Sequence, residues 1–449
     1  DEQFVRLWYH EMMREFNDRF NQAQDRNWFE ETLKKSVNSD FNITTEFPLP
    51  KFNDFADRSG NYKECSMTDA EILKVCNDVL EDHNREAAKP LDIVLFQEAV
   101  DHLSAMSRIL AMKRGHALLV GVKSSGRKSL ARLSLHMASM EIFEIQITRT
   151  YNMNEWREDM KNLMKQCGSN DLPTGFVISD VQIVGSFQLE DISNLMINGE
   201  IPNLFERDEI EQIKADIIQN ELLTDEDPWL LFTTRMKQNL HIILVFSPYG
   251  SIFKEFVLSF PALRTETTID WFMPWSSDAL DSVGKASLMR SSIGSPELKK
   301  SIVSVCVKIH KSVENASTKF FNETKRFTAC TPSRYFELLS TFVKRVEQKQ
   351  LQIDDQIHNY ENGVEKIEST RVQIQFLSEQ LDRDIPVLQE KRKEVEEMLK
   401  DLNVKKEEVE INKQEVKAQS DLAEDEAQKA AEINRVAQEK FAAAQPILK

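Results

Sequence analysis

At 449 residues the chain is long enough for two to four domains of about 100–200 residues each, and long enough to bury a sizeable core. Its net charge of −17 argues against a general nucleic-acid binder, which needs a basic footprint. The five cysteines are scattered, with no CxxC or Cys/His zinc spacing, which fits a reducing compartment; apolar runs such as 242–246 are too short to span a membrane. With no initiating Met and a helical pattern still running at Lys449, we expect a segment of a longer polypeptide.

Residues 1–33 predict an amphipathic helix, because Val5, Trp8, Met12, Phe16 and Phe20 recur at three- and four-residue steps. His10-Glu11 lacks the second histidine of a zinc-binding helix, so no metal is expected there. Residues 38–59, with two prolines and several Asp and Asn, read as a linker. A helix follows over 67–84 with Thr68 as its N-cap, and another over 91–111.

The stretch GHALLVGVKSSGRKSL (115–130) carries the chemistry. Ala117 to Val120 is an apolar run of strand length; a small-residue turn follows, then a helix over 129–138. Strand, tight loop and helix aim backbone N–H groups and a helix N-terminus at a phosphate, and Gly121 to Gly126 has P-loop spacing. The P-loop pattern asks for Gly-Lys-[Ser/Thr]. Here either Arg127 stands in the lysine position, or Lys128 and Ser129 serve with one extra loop residue. Lys123 and Ser124 stand where glycines usually let the backbone approach an anion, alongside Ser125. The plain alternative is an ordinary strand-to-helix turn.

Beyond it we expect a strand over 142–147, a helix over 154–166 and an apolar strand over 175–179 ending in Asp180. A carboxylate there can hold the magnesium water shell beside a P-loop, with Ser129 as the other magnesium contact. The residue that usually polarises the attacking water is Glu; here it is Val181, a loss typically worth about 10²–10⁴ in rate. Helices are expected over 189–198 and 208–220, and strands over 240–246 and 268–272. Ser247, after the first of these strands, is placed to sense a γ-phosphate or simply to cap. Strands alternating with helices predict a mostly parallel sheet covered on both faces, and residues 276–327 predict a small helical lid.

From Leu339 a 4-3 ladder, about three quarters apolar, runs to the end: Leu339, Val343, Val346, Gln350, Ile353, Ile357, Tyr360, Val364, Ile367, Arg371, Ile374, Ser378, Leu381, Ile385, Leu388, Arg392, Val395, Leu399, Leu402 and beyond. That is a coiled-coil helix on the order of 160 Å long at about 1.5 Å per residue. Pro386 should kink it or loosen one turn. The seam turns polar at Lys406, Lys413, Ser420 and Asn434, which specifies register weakly, whether as a sliding seam or as a stiff spacer with a mediocre end.

Six segments together resemble the dynein heavy chain family. They are FVRLWYHEMMREFNDRF (4–20), LDIVLFQEAVDHLSAMSRIL (91–110), GHALLVGVKSSGRKSLARL (115–133), SDVQIVGSFQLEDISNLMINGEIPNLF (179–205), TIDWFMPWSSDAL (268–280) and TPSRYFELLSTF (331–342). They cover nearly the whole chain, and the TIDWF wording is more like axonemal than cytoplasmic members. The resemblance implies a ring of six AAA+ modules that converts ATP hydrolysis into stepping on microtubules. This chain would hold the last helices of the third module and a linker (1–48), the α/β subdomain of the fourth (49–275), its helical lid (276–332) and the outgoing stalk helix (333–449).

On that resemblance the partners are neighbouring modules of the same chain, the returning stalk helix, microtubules through an absent tip, and intermediate and light chains elsewhere in the complex. Nucleic acid and membrane are not expected. The location implied is the cytoskeleton, ciliary or flagellar. The family's fourth-module loop usually reads closer to GVGGSGKQSL. Losing both inner glycines, the lysine and the acidic partner of Asp180, this loop should hold ATP or ADP with magnesium weakly or not at all and hydrolyse none, so no catalytic residue is expected. Two other classes compete with this reading. A chromosome-maintenance-type ATPase needs a hydrolysing acid pair and a Leu-Ser-Gly-Gly loop, which the sequence lacks; a passive scaffold would homodimerise through its heptads.

Overall fold

The computed structural model describes residues 2–41, 52–56, 62–87, 89–221, 227–249, 252–289, 291 and 294–444. It divides into two units, Asp1–Gln348 and Lys349–Lys449. The expected linker over 38–59 lies largely outside the described residues.

The first unit opens with α1 (Glu2–Glu15) and α2 (Ala23–Asp40), which pack together through Val5, Tyr9, Leu33 and Val37. The single helix expected over 1–33 is instead broken by a tight turn at Asn17–Arg19, where Asn17 is buried. The short strands β1 (Phe52–Asn53) and β2 (Lys63–Glu64) pair antiparallel. Next come α3 (Asp69–Glu86) and α4 (Gln97–Ala111). Thr68 caps α3 as expected, its hydroxyl accepting from the Glu71 N–H while Glu71 accepts from the Thr68 N–H. The helix expected from residue 91 begins only at Gln97. Asn84 clamps Leu91 by both backbone groups, at 2.7 and 3.1 Å, which holds 91–96 out of helical geometry.

The core sheet follows: β3 (His116–Gly121), α5 (Arg127–Met137), β4 (Glu141–Phe143), α6 (Met153–Met164), β5 (Thr174–Ser179), α7 (Ser186–Asn198), α8 (Arg207–Glu221), α9 (Pro228–Asn239), β6 (Leu240–Phe246), α10 (Ile252–Ser259), α11 (Ala262–Thr265) and β7 (Thr267–Phe272). The five strands β3 to β7 pair parallel in the order β4-β5-β6-β3-β7. The strand expected over 142–147 is confined to β4, three residues at the sheet edge.

Side-chain alternation splits the sheet between two cores. Leu118, Val120, Phe176, Ile178, Ile242, Leu244 and Phe246 face a layer from α6, α7, α8, α9 and α11. Ala117, Leu119, Val177, Ile243 and Val245 face a layer from α3, α4 and α5. Parallel strands need this cover, and both cores are built of residues under 10% exposed.

After the sheet, α12 (Ser277–Met289) and α13 (Pro296–Thr324) pack with the first turns of α14 (Pro332–Ala444) around Leu280, Val283, Val303, Tyr335 and Leu339. The Tyr335 hydroxyl donates to the Leu280 carbonyl at 2.9 Å. The helix α14 is 113 residues long and continues through Pro386. Within the second unit its apolar seam lies open, with Ile353, Ile367, Leu388 and Val409 each more than half exposed. No helix among the described residues is long and apolar enough to cross a membrane.

Candidate functional site

The carboxyl end of β3 is a topological switch point. The chain leaves β3, crosses to the far edge at β4, returns through β5 and β6, and then pairs β7 on the opposite side of β3. Crevices at such points outside the strand ends are where open α/β sheets take ligands.

Gly121 closes β3. A Cβ there would lie 2.6 Å from Phe272 Cβ, so glycine is what allows β7 to pair so closely. In the loop, Ser124 has φ +66° and Gly126 φ +90°. The left-handed state costs a non-glycine residue about 1–2 kcal/mol, so the loop's curl is imposed on Ser124. Gly126 ends the curl and α5 starts at Arg127, two residues earlier than expected.

That early start puts two cations in the first helical turn, where the helix dipole disfavours them. Both are engaged within the protein. The Arg127 guanidinium is buried and donates to the carbonyls of Val122 (3.0 Å), Leu119 (3.5 Å) and Phe246. Burial lowers its pKa, opposed by the charge of Asp180. Lys128 Nζ lies 3.0 Å from a Glu144 oxygen, and Arg132 grips the same carboxylate at 2.6 and 2.7 Å. Glu144 consequently has a lowered pKa, its two basic neighbours outweighing its burial.

Asp180, at the end of β5, accepts the Ser247 backbone N–H at 2.8 Å, which joins the ends of β5 and β6. Ser247 thus contributes its amide to this bond. Neither residue, nor Arg127, nor Lys128, is among those lining the cavity beside the loop.

That cavity has a volume of about 660 Å³, within the range of small-molecule sites. Ser124, Ser125, Gly126 and Ser129 line one side. Residues 92–96, the segment held out of α4, line a second, and Asp270 to Trp275 a third. Phe96 and Trp275 meet edge to face at 5.2 Å, and Trp275 meets Phe336 at 5.8 Å. His102 stacks on Phe272 at 3.8 Å, and its Nδ1 lies 2.9 Å from both Asp270 oxygens. Burial opposes a charge on His102, but Asp270 prevails and its pKa is raised. Arg14 and Arg26 reach the cavity from the first two helices and Asp18 from the turn between them; burial lifts the Asp18 carboxyl to about 6 against the pull of Arg14.

Ser125 Oγ and Arg14 Nε, buried polar atoms of residues lining this cavity, have no hydrogen-bond partner among the described residues. An occupant with acceptor oxygens and a planar ring fits such a lining, with phosphate toward the loop and base toward Phe96, Trp275 and Phe336. For magnesium the fit is poorer, because Ser129 lines the cavity while Asp180 is bonded to Ser247 outside its lining. The position of the loop and the strand end at Asp180 could be located from sequence. The walls at 92–96, His102 and Asp270 could not; the only hint was the apolar run before α4.

A family model described as the P-loop containing dynein motor region D4 matches residues 91–344. Dynein axonemal heavy chain 1 of Homo sapiens is 34% identical over 447 residues, covering 96% of this chain and 10% of its own length. Dynein axonemal heavy chain 6 of Homo sapiens is 35% identical over 422 residues, covering 90% of this chain and 10% of its own. The dynein-1-beta heavy chain of the flagellar inner arm I1 complex of Chlamydomonas reinhardtii is 34% identical over 389 residues, 83% of this chain and 9% of its own. The chain therefore spans about a tenth of the length of these relatives.

Proposed function

This chain belongs to the dynein heavy chains, and from that premise we propose that it is the fourth AAA+ module of a microtubule motor, acting as a regulatory and structural part of the ring. Residues 1–48 then end the third module, 49–275 form the α/β subdomain, 276–332 the lid and 333–449 the outgoing stalk helix. The working location is an axoneme, in keeping with the names of the relatives. The family assignment sets aside the chromosome-maintenance reading.

One observation carries the proposal. The loop keeps the curl that seats a phosphate, yet the two cations that follow Gly126, Arg127 and Lys128, are bonded to protein acceptors. Such a site can hold an adenine nucleotide through backbone N–H groups and the start of α5, but weakly. With Val181 after Asp180, no carboxylate stands next in sequence to activate water. The module would then transmit ring state without hydrolysing ATP itself, and the open seam of α14 would pair with the returning stalk helix.

The test is steady-state ATP turnover and a thermal shift with Mg-ATP on the 449-residue chain. Turnover at background with a small upward shift is expected. Robust turnover abolished by Lys128→Ala would overturn the proposal, and no shift at millimolar nucleotide would reduce the module to a purely structural one.

A further inference from the structure

The P-loop pattern places its phosphate-binding lysine at the position held here by Arg127, and this guanidinium is turned into the strand ends. It is 7% exposed and donates to carbonyls of the loop (Val122), of β3 (Leu119) and of β6 (Phe246). One planar cation thereby ties the base of the loop to the two central strands. A lysine carries a single compact ammonium on a flexible stem and cannot present that fork.

We propose that Arg127 is an intramolecular latch that competes with nucleotide for the loop. The proposal rests on the nucleotide reading above and explains why occupancy would be weak. With the latch closed the loop is held without a ligand, and an incoming phosphate meets no free cation from the start of α5, because Lys128 is paired with Glu144. Opening the latch would supply that cation, but would leave buried carbonyls of two strands and the loop without their donor. Affinity is therefore set by the balance between latch and phosphate, and Asp180, whose charge favours the guanidinium, weighs on the closed side.

The experiment compares Arg127→Lys, Arg127→Gln and the unaltered 449-residue chain. Ligand-free melting temperature is measured, and Mg-ATP and Mg-ADP are titrated by calorimetry. In R127K the melting temperature should fall while Mg-ATP binding tightens by about tenfold, the worth of one charge-assisted contact. R127Q should lower the melting temperature with no gain in affinity. Binding by R127K no tighter than by the unaltered chain, including no binding by either, overturns the latch. Binding by the unaltered chain alone decides the underlying reading, so the two failures are separable. Should R127K not fold, NMR of the Arg127 guanidinium N–H groups in the unaltered chain supplies the readout: slow exchange without nucleotide is expected, and exchange at the rate of an exposed arginine would overturn the latch.

Discussion

At the amino-terminal ends of the central strands, opposite the site, His116 opens β3 and His241 lies next to the start of β6, both buried. The Ile242 N–H donates to His116 Nδ1 at 3.0 Å, so the neutral ring carries its proton on Nε2. His241 uses its Nδ1 in the other sense, donating to the Gly115 carbonyl at 2.8 Å. Protonating His116 would set a second N–H against that of Ile242. Burial first, then the neighbouring His241 and Arg114, pull its pKa from the ordinary 6.5 to about 3. Above pH 6.5 neither folded nor unfolded chain binds this proton and His116 costs nothing. Below it the unfolded chain takes up a proton that the fold refuses, so stability falls with pH until about pH 3. At about 1.36 kcal/mol per pH unit below the unfolded value, the loss reaches about 2 kcal/mol at pH 5.

His116→Asn keeps an acceptor near the Nδ1 position and removes the titration. Urea unfolding followed by tryptophan fluorescence at pH 7.5 and pH 5.0 should show the unaltered chain losing about 2 kcal/mol more than H116N between the two conditions. The histidines common to both proteins, including His241 and His10 with their lowered pKa values, cancel in that difference. The smaller asparagine will weaken the fold at both pH values, but that offset does not change the slope. Parallel pH dependence of the two proteins would refute the reasoning.

Three further outcomes follow from the geometry. Gly121→Ala places its methyl 2.6 Å from Phe272 Cβ and 2.9 Å from the Phe272 carbonyl oxygen, and should destabilise on the order of 1–3 kcal/mol; an unchanged melting curve would show that β3 and β7 separate freely. Arg108 is buried and holds Glu11 of α1 at 2.6 Å, so Arg108→Met should cost on the order of 1–2 kcal/mol after allowing for the part-exposed Glu11, and should speed amide exchange in α1; equal exchange would mean that the apolar contacts alone dock it. Asp270→Asn removes the charge that outweighs burial at His102, so the His102 pKa should drop below the ordinary histidine value when followed by NMR titration, and a value still raised would assign the effect to Asp101 and Glu98.

How much could be read beforehand depended on where each signal lives. β3, β5 and β6 are near-continuous apolar runs because helices cover both faces, and such runs are visible in one dimension. The seam of α14 is equally plain, since its period repeats for more than a hundred residues. Residues 91–96 misled because Leu91, Val94 and Leu95 have helical spacing, while the restraint that unwinds them comes from Asn84 in another helix. The same division runs through the site. Spacing announced a phosphate loop, but no spacing rule says which way a guanidinium turns. Three carbonyls at the ends of β3 and β6 and in the loop decide that, and they meet only after the sheet has formed. Gly121 shows the same double duty, for the glycine that begins the P-loop pattern is also the one that lets β7 approach. The pattern in this chain is thus a packing device as well as the candidate ligand seat, which is how a module can keep the shape of a P-loop while Arg127 and Lys128 serve the fold.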